Sequence, residues 1–172
     1  MGSYSDKLSN TAGSVLEAER FVAAMKCFPI GHGKRKTRNA ALFGAAGALY
    51  TRSGSTDGHA IGGQPLPHEI AIGLTPTRAF VFALGSMTGK AQLPPLRVVT
   101  RDHIVGIAST STRTLHIKQT LIWVRMADGS ELRLETAQRH WRHGDELVEE
   151  LLGSGVAAME TPPAFRPSQK PK

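Results

Sequence analysis

The sequence predicts a mainly β fold of the α+β class, a barrel or sandwich of antiparallel strands capped by one helix. Three observations predict it. Strand-like segments follow one another from residue 69 to residue 136, the dipeptide Asp128-Gly129 separates two alternating apolar segments, and a single amphipathic helical pattern comes after the last of them. Such an order suits a binding scaffold, and no catalytic motif overlies it.

At the start of the chain, residues 1–13 are polar and aperiodic, which predicts a disordered N-terminus. From Ser14 two readings compete. Ser14 with Glu17 fits a capping box and residues 16–26 are rich in helix formers, which favours a helix. Yet Phe21, Ala23, Met25 and Cys27 alternate with Arg20, Val22, Ala24 and Lys26, which suits a strand with one buried face ending before Pro29.

A basic loop follows, and then residues 39–50, NAALFGAAGALY, which are apolar all round and interrupted by Gly44 and Gly47. As a helix this segment would reach only about 18 Å, short of the roughly 30 Å of a bilayer core. It is expected to be a short helix tucked against the sheet or against a second copy of the chain, or else lying on a membrane surface. Residues 51–65 are glycine-rich and polar and read as a loop.

The β region is more explicit. Residues 69–74 and 78–84 form a predicted hairpin around Thr75-Pro76-Thr77, where proline presets the turn. Residues 96–100 and 104–109 read as one interrupted or bent strand, and residues 115–118 alternate. Residues 121–126 then pair with 131–136 across Ala127-Asp128-Gly129-Ser130, since Asp-Gly supplies the positive φ angles a tight hairpin needs. Beyond Thr136, residues Trp141, Leu147, Val148, Leu151 and Leu152 share a helical stripe. The helix starts near Gln138 or near Asp145, with Gly153 as its stop and Trp141 as a core plug. The domain is therefore expected to span residues 14–155, with residues 156–172 a disordered, Pro-rich basic tail.

Charge is concentrated. Of the 21 basic residues, Lys26, Lys34, Arg35, Lys36 and Arg38 lie in residues 26–38 and Arg166, Lys170 and Lys172 in residues 161–172, neither stretch holding an acid. The other 13 face 14 acidic residues, so the net charge of +7 belongs to a loop and a tail. A field of this kind attracts anionic surfaces and weakens with salt. The single cysteine, Cys27, excludes an internal disulfide and a cysteine zinc cluster. The start of the chain lacks the apolar run of a signal peptide, and no apolar stretch approaches the roughly 20 residues that span a bilayer. These features predict a cytoplasmic protein with no integral membrane segment, membrane association being compatible with the charge.

The runs EIAIGLTPTRAFVFAL, PPLRVVTRDHIVGIAS and TLIWVRMADGSELRLET, followed by a terminal helix, resemble the pleckstrin-homology-like (PH-like) superfamily, in particular small bacterial PH-like and GRAM-like domains. The Leu74-Thr75-x-x-Arg78 step between two strands and the Asp128-Gly129 hairpin before the last strand carry the resemblance, which covers about residues 17–153. It implies a partly open antiparallel β-barrel, or two orthogonal sheets, capped by a C-terminal α-helix, with the 39–50 helix as an insertion. It also implies that residues 20–28 are a strand. Lipid-binding PH domains place a Lys-x(n)-Lys/Arg-x-Arg pattern across the first strand and loop, matched by Lys26, Lys36 and Arg38. Cations converging there would hold phosphate oxygens by charge-assisted bonds.

Enzyme motifs fail on spacing. Gly85-Ser-Met-Thr-Gly89-Lys90 is one residue short of a phosphate loop and has Ala91 where a metal-binding hydroxyl belongs. Gly54-Ser-Thr-Asp-Gly58 has threonine at the centre where a hydrolase elbow has serine. His140 and His143 lie a helical turn apart but lack a third ligand at a recognisable spacing. No catalytic residue, metal or cofactor is expected. The reading is a noncatalytic binding module that contacts a protein partner or an anionic membrane surface through Lys26, Lys34, Arg35, Lys36 and Arg38, with Leu42, Phe43 and Leu49 as the apolar contact. Self-association through residues 39–50 belongs to the same reading. Nucleic-acid binding ranks lower, since only 6% of residues are aromatic and no helix carries clustered arginines. An enzyme whose site leaves no mark in the sequence is the last alternative.

Overall fold

A computed structural model describes residues 3–29, 60–61, 64–67, 69–85, 87–114, 117–136 and 140–161. The chain begins with a helix, α1 (Tyr4–Leu16), where disorder was expected. Ser3 Oγ accepts from the Asp6 amide at 3.2 Å and Asp6 Oδ2 from the Ser3 amide at 3.0 Å, a capping box that satisfies two amides at the helix start. Leu8, Ala12 and Leu16, spaced by four, are buried. They pack on Phe21, Ala24, Ala71, Phe80 and Phe82. Ser14 and Glu17, read as a helix start, lie at its end instead, Glu17 being the cap with φ 57°.

The predicted first strand is present as β1 (Ala23–Pro29), three residues later than expected and running through Pro29. It is antiparallel to both β4 and β9, so the chain's first strand is internal to the sheet. A two-residue pair, β2 (Ala60–Ile61) and β3 (Gln64–Pro65), precedes the expected hairpin of β4 (Ile70–Leu74) and β5 (Arg78–Ala83). Thr75 closes that turn, its amide and hydroxyl both donating to the Arg78 carbonyl while its Oγ1 accepts from the Arg78 amide. Gly73 is needed on β4 because the Phe21 ring lies where a β-carbon would be.

Residues 96–109 do not form one bent strand. They form β6 (Arg97–Thr100), a 3-10 turn (Arg101–His103) and β7 (Ile104–Thr114), and β6 pairs with β5 whereas β7 pairs with β8 (Ile117–Met126). The Asp-Gly hairpin joins β8 to β9 (Glu131–Thr136) as predicted, with Gly129 at φ 81°. Asp128 Oδ1 fixes the turn by accepting from the Ser130 amide at 2.8 Å and the Ser130 hydroxyl at 2.6 Å.

Helix α2 (Trp141–Gly153) buries Gly144, Leu147, Val148 and Leu151, while Leu152 is exposed. Trp141 is half-buried, with Lys118 Nζ 3.6 Å from its ring centre, and so is a cation platform rather than a core plug. The stop lies beyond Gly153: the Gly155 amide donates to the Leu152 carbonyl and the Val156 amide to the Leu151 carbonyl, with Gly155 at φ 94°. The start of the expected tail is ordered too, since β10 (Ala157–Ala158) runs parallel to β7 and Met159 covers Gly106. Packing thus extends to both sides of residues 14–155.

The strands form a mixed eight-stranded sheet in the order β10-β7-β8-β9-β1-β4-β5-β6. Because three residues link β6 at one edge to β7 beside the other, the sheet must curl on itself, though β6 and β7 do not pair and the curl stays unclosed. The concave side holds the main core, where Met25, Ile72, Ile107, Ile122 and Leu134 meet Leu147 and Leu151 of α2. The convex side of β1, β4 and β5 is covered by α1. The chain is therefore mainly β, with two helices among the described residues, and none of its described helices is long and apolar enough to cross a membrane.

Candidate functional site

The interior of the curl is a packed core rather than a ligand chamber. A cavity of about 40 Å³ lies among Ile72, Val81, Val99, Val124, Leu134 and Leu147. Its volume suits a water molecule or two and its walls are apolar.

Of the basic residues singled out in the sequence, Lys26 falls on β1, with Nζ 3.0 Å from Glu69 Oε2. The two side chains are 22% and 10% exposed, so this ammonium is already engaged in a shielded pair. An anionic ligand would have to share it with Glu69. Lys34, Arg35, Lys36 and Arg38, and the apolar contact residues Leu42, Phe43 and Leu49, lie outside the described residues.

The edge formed by β6 is a surface that sequence reasoning missed. Among the described residues β6 is paired only with β5. Its register, continued by the bond from the Arg101 amide to the Thr77 carbonyl, directs the main-chain groups of Arg97 and Val99 toward β5 and those of Val98 and Thr100 to the open side. Val98 is 45% exposed, and Leu96 and Leu93 just before it are 40% and 43% exposed. Val98 thus stands on an edge with outward hydrogen-bonding groups, and Leu96, just before the strand with its own amide turned inward to the Val81 carbonyl, adds a second exposed apolar side chain. The clue in the sequence is the alternation of residues 96–100, which predicts a strand but not its place in the sheet.

On the concave side of the same strand a cleft of about 400 Å³ opens between β6, the 3-10 turn and the β8–β9 hairpin. Arg97, His103, Asp128 and Ser130 form its polar wall, and Val99 and Met126 its floor. Arg97 makes no ion pair among the described residues. His103 Nδ1 lies 3.3 Å from Thr100 Oγ1, which leaves Nε2 as the ring's other polar atom. The Ser130 hydroxyl and amide hold the Asp128 carboxyl below the usual carboxylate range, with a lesser contribution from Arg97.

His140 and His143 meet at the start of α2, their Nδ1 atoms 3.2 Å apart, and Tyr4 of α1 packs against both rings at 5.8 Å. Burial pushes the Tyr4 phenol up to about 12. These ring contacts tie α1 to the start of α2; no group of three metal-ligating side chains occurs among the described residues.

No family model matches the chain, and no curated protein matches it. Among solved structures it is similar to the hSac2 domain from human phosphoinositide phosphatase Sac2, at 10% identity and a TM-score of 0.49, over 100% of this chain and 98% of that one.

Proposed function

We propose that this chain is a noncatalytic PH-like binding module that takes up an extended segment of a protein partner along β6. The observation that carries the reading is the row of exposed Leu93, Leu96 and Val98 beside the edge of that strand that is unpaired among the described residues. A peptide lying antiparallel to β6 would pair with the main chain of Val98 and Thr100. Its own apolar residues at alternate positions would rest on Leu96 and Val98, the mode by which exposed sheet edges add a strand. The PH-like assignment is supported by the curled sheet with one helix, α2, packed on its concave side.

The test is selection of displayed random peptides on the parent chain and, separately, on the double variant Leu96→Glu, Val98→Lys. Peptides with alternating apolar residues, bound by the parent and lost on the variant, support the reading. Failure to select any peptide, or binding that ignores the two substitutions, overturns it. A parent that sediments as a dimer only while Val98 is intact would instead identify a second copy as the occupant of the edge.

A second reading follows from the basic run Lys34, Arg35, Lys36 and Arg38 next to Leu42, Phe43 and Leu49, which would hold an anionic membrane surface reversibly. Co-sedimentation with neutral and anionic vesicles across a salt series tests it, the parent being compared with the four cations changed to alanine. Binding confined to anionic vesicles, weakened by salt and abolished by the substitutions, is the expected result; no binding at low salt removes it.

A further inference from the structure

The geometry points to a second site: we propose that the cleft between β6 and the β8–β9 turn binds a compact amphiphilic carboxylate, its head on Arg97 and His103 and its apolar part on Val99 and Met126. The site is independent of the edge reading. Arg97 and Val99 belong to the concave face of β6, whereas Val98 and Leu96 belong to the exposed row, so either can fail alone.

The argument starts from charge. A guanidinium without an ion pair among the described residues stands in a concave wall, next to an imidazole whose ring position is fixed through Nδ1 by Thr100. The planar fork of arginine matches two carboxylate oxygens, and a neighbouring imidazole adds a third bond in the forms that carry the proton on Nε2. The size of the head is set by Asp128. Its Oδ1 is taken up by the Ser130 amide and hydroxyl, and its negative charge beside Arg97, like that of Asp102 beside His103, opposes a second negative charge on the head. A singly charged carboxylate is therefore favoured over a dianionic phosphate.

The apolar part follows from the floor. Val99, Met126 and Ser130 are shared between this cleft and the internal apolar cavity, so the cleft deepens toward the core rather than toward solvent. With a volume of about 400 Å³ it falls within the range of sites for small molecules. A carboxylate bearing a short alkyl group would fill it, and the same chemistry is offered by a free alkanoic acid or by the C-terminal residue of a peptide ending in leucine.

The experiment is a titration of the isotope-labelled chain with hexanoate, followed by backbone amide shifts. Saturable shifts confined to residues 97–103 and 126–130 are expected, and Arg97→Met should weaken binding by about tenfold or more. Hexylphosphate and hexylamine should bind less well than hexanoate. Asp128→Asn, which keeps an oxygen for the Ser130 bonds but removes the opposing charge, should bind hexanoate more tightly and guards against a misfolded Arg97 variant. A leucine-terminated tripeptide with a free carboxylate, compared with its amide, separates the two sources: preference for the free acid at an affinity above that of hexanoate selects a peptide terminus. Absence of saturable shifts, indifference to both substitutions, or equal binding of hexylamine would overturn the proposal.

Discussion

Arg101 and Glu150 join the turn after β6 to the end of α2, with Nη1 donating to Glu150 Oε1 at 2.9 Å and Nη2 to the Glu150 carbonyl at 3.0 Å. The same guanidinium also donates to the Thr75 carbonyl and to Ser154 Oγ, and its side chain is only 10% exposed. A cation at the C-terminus of a helix meets the negative end of the helix dipole and its unpaired carbonyls. Replacing Arg101 by methionine should remove about 2–4 kcal/mol of stability, because several carbonyls lose a charged donor together. Glu150→Gln should remove less than about 1 kcal/mol, since the carbonyl bonds stay. Urea unfolding of both variants checks this; equal losses would mean that the carboxylate, not the helix end, is what Arg101 serves.

Gly144 lets α2 pack closely on the sheet. A β-carbon there would collide with Thr136 Cγ2 and lie 3.4 Å from Ile122 Cδ1. Thr136 cannot turn away without breaking the bond its Oγ1 accepts from the Thr120 amide. Alanine would favour the helix by about 1 kcal/mol, but overpacking here should outweigh that and leave Gly144→Ala about 1–3 kcal/mol less stable. Gly153→Ala, with nothing within 4 Å of the new carbon, should be neutral or slightly stabilising. Thermal melting of the pair separates the two effects, and a stable Gly144→Ala variant would refute the tight contact.

The contrast between these glycines also explains what could be read in advance. The β8–β9 hairpin was legible because Asp128-Gly129 states its backbone requirement locally, and α2 was legible because Leu147, Val148 and Leu151 repeat at helical spacing. α1 was not: its buried face is three residues, and of the rings that make it worth burying Phe21 lies in the link before β1 and Phe80 and Phe82 on β5. Nor could alternation reveal that β6 and β7 take opposite sides of the sheet order, since strand pairing is a long-range property. The binding surfaces divide the same way. The basic run is a local signal, whereas Arg97, His103 and Asp128 are brought together only by the curl of the sheet.

Tyr4 should impose an alkaline limit on the fold. Burial raises its phenol from the ordinary value near 10 to about 12, so the folded state holds the proton more tightly than the unfolded chain does. Its contribution is fully present below pH ~10, where both states are neutral, and is lost as pH rises through about 12. Stability measured by denaturant between those limits should fall for the parent and fall less for Tyr4→Phe, which keeps the ring packed against His140 and His143. Parallel declines would place the alkaline loss elsewhere.

Cys27 offers a direct clock for opening of the sheet. It is fully buried on β1 between β4 and β9, and burial pushes its thiol far above the ordinary cysteine range. Only the thiolate reacts with disulfide reagents, so the folded chain is protected twice, by access and by protonation. Because the chain has one cysteine, labelling reports this strand alone. The rate in buffer should be at least about a thousandfold below that of the urea-unfolded chain, as expected when reaction requires global opening. Loss of protection on Leu8→Ala would show that α1 stabilises the whole sheet. If labelling stayed slow while α1 was released, the helix would be an independent unit packed on a sheet that holds without it.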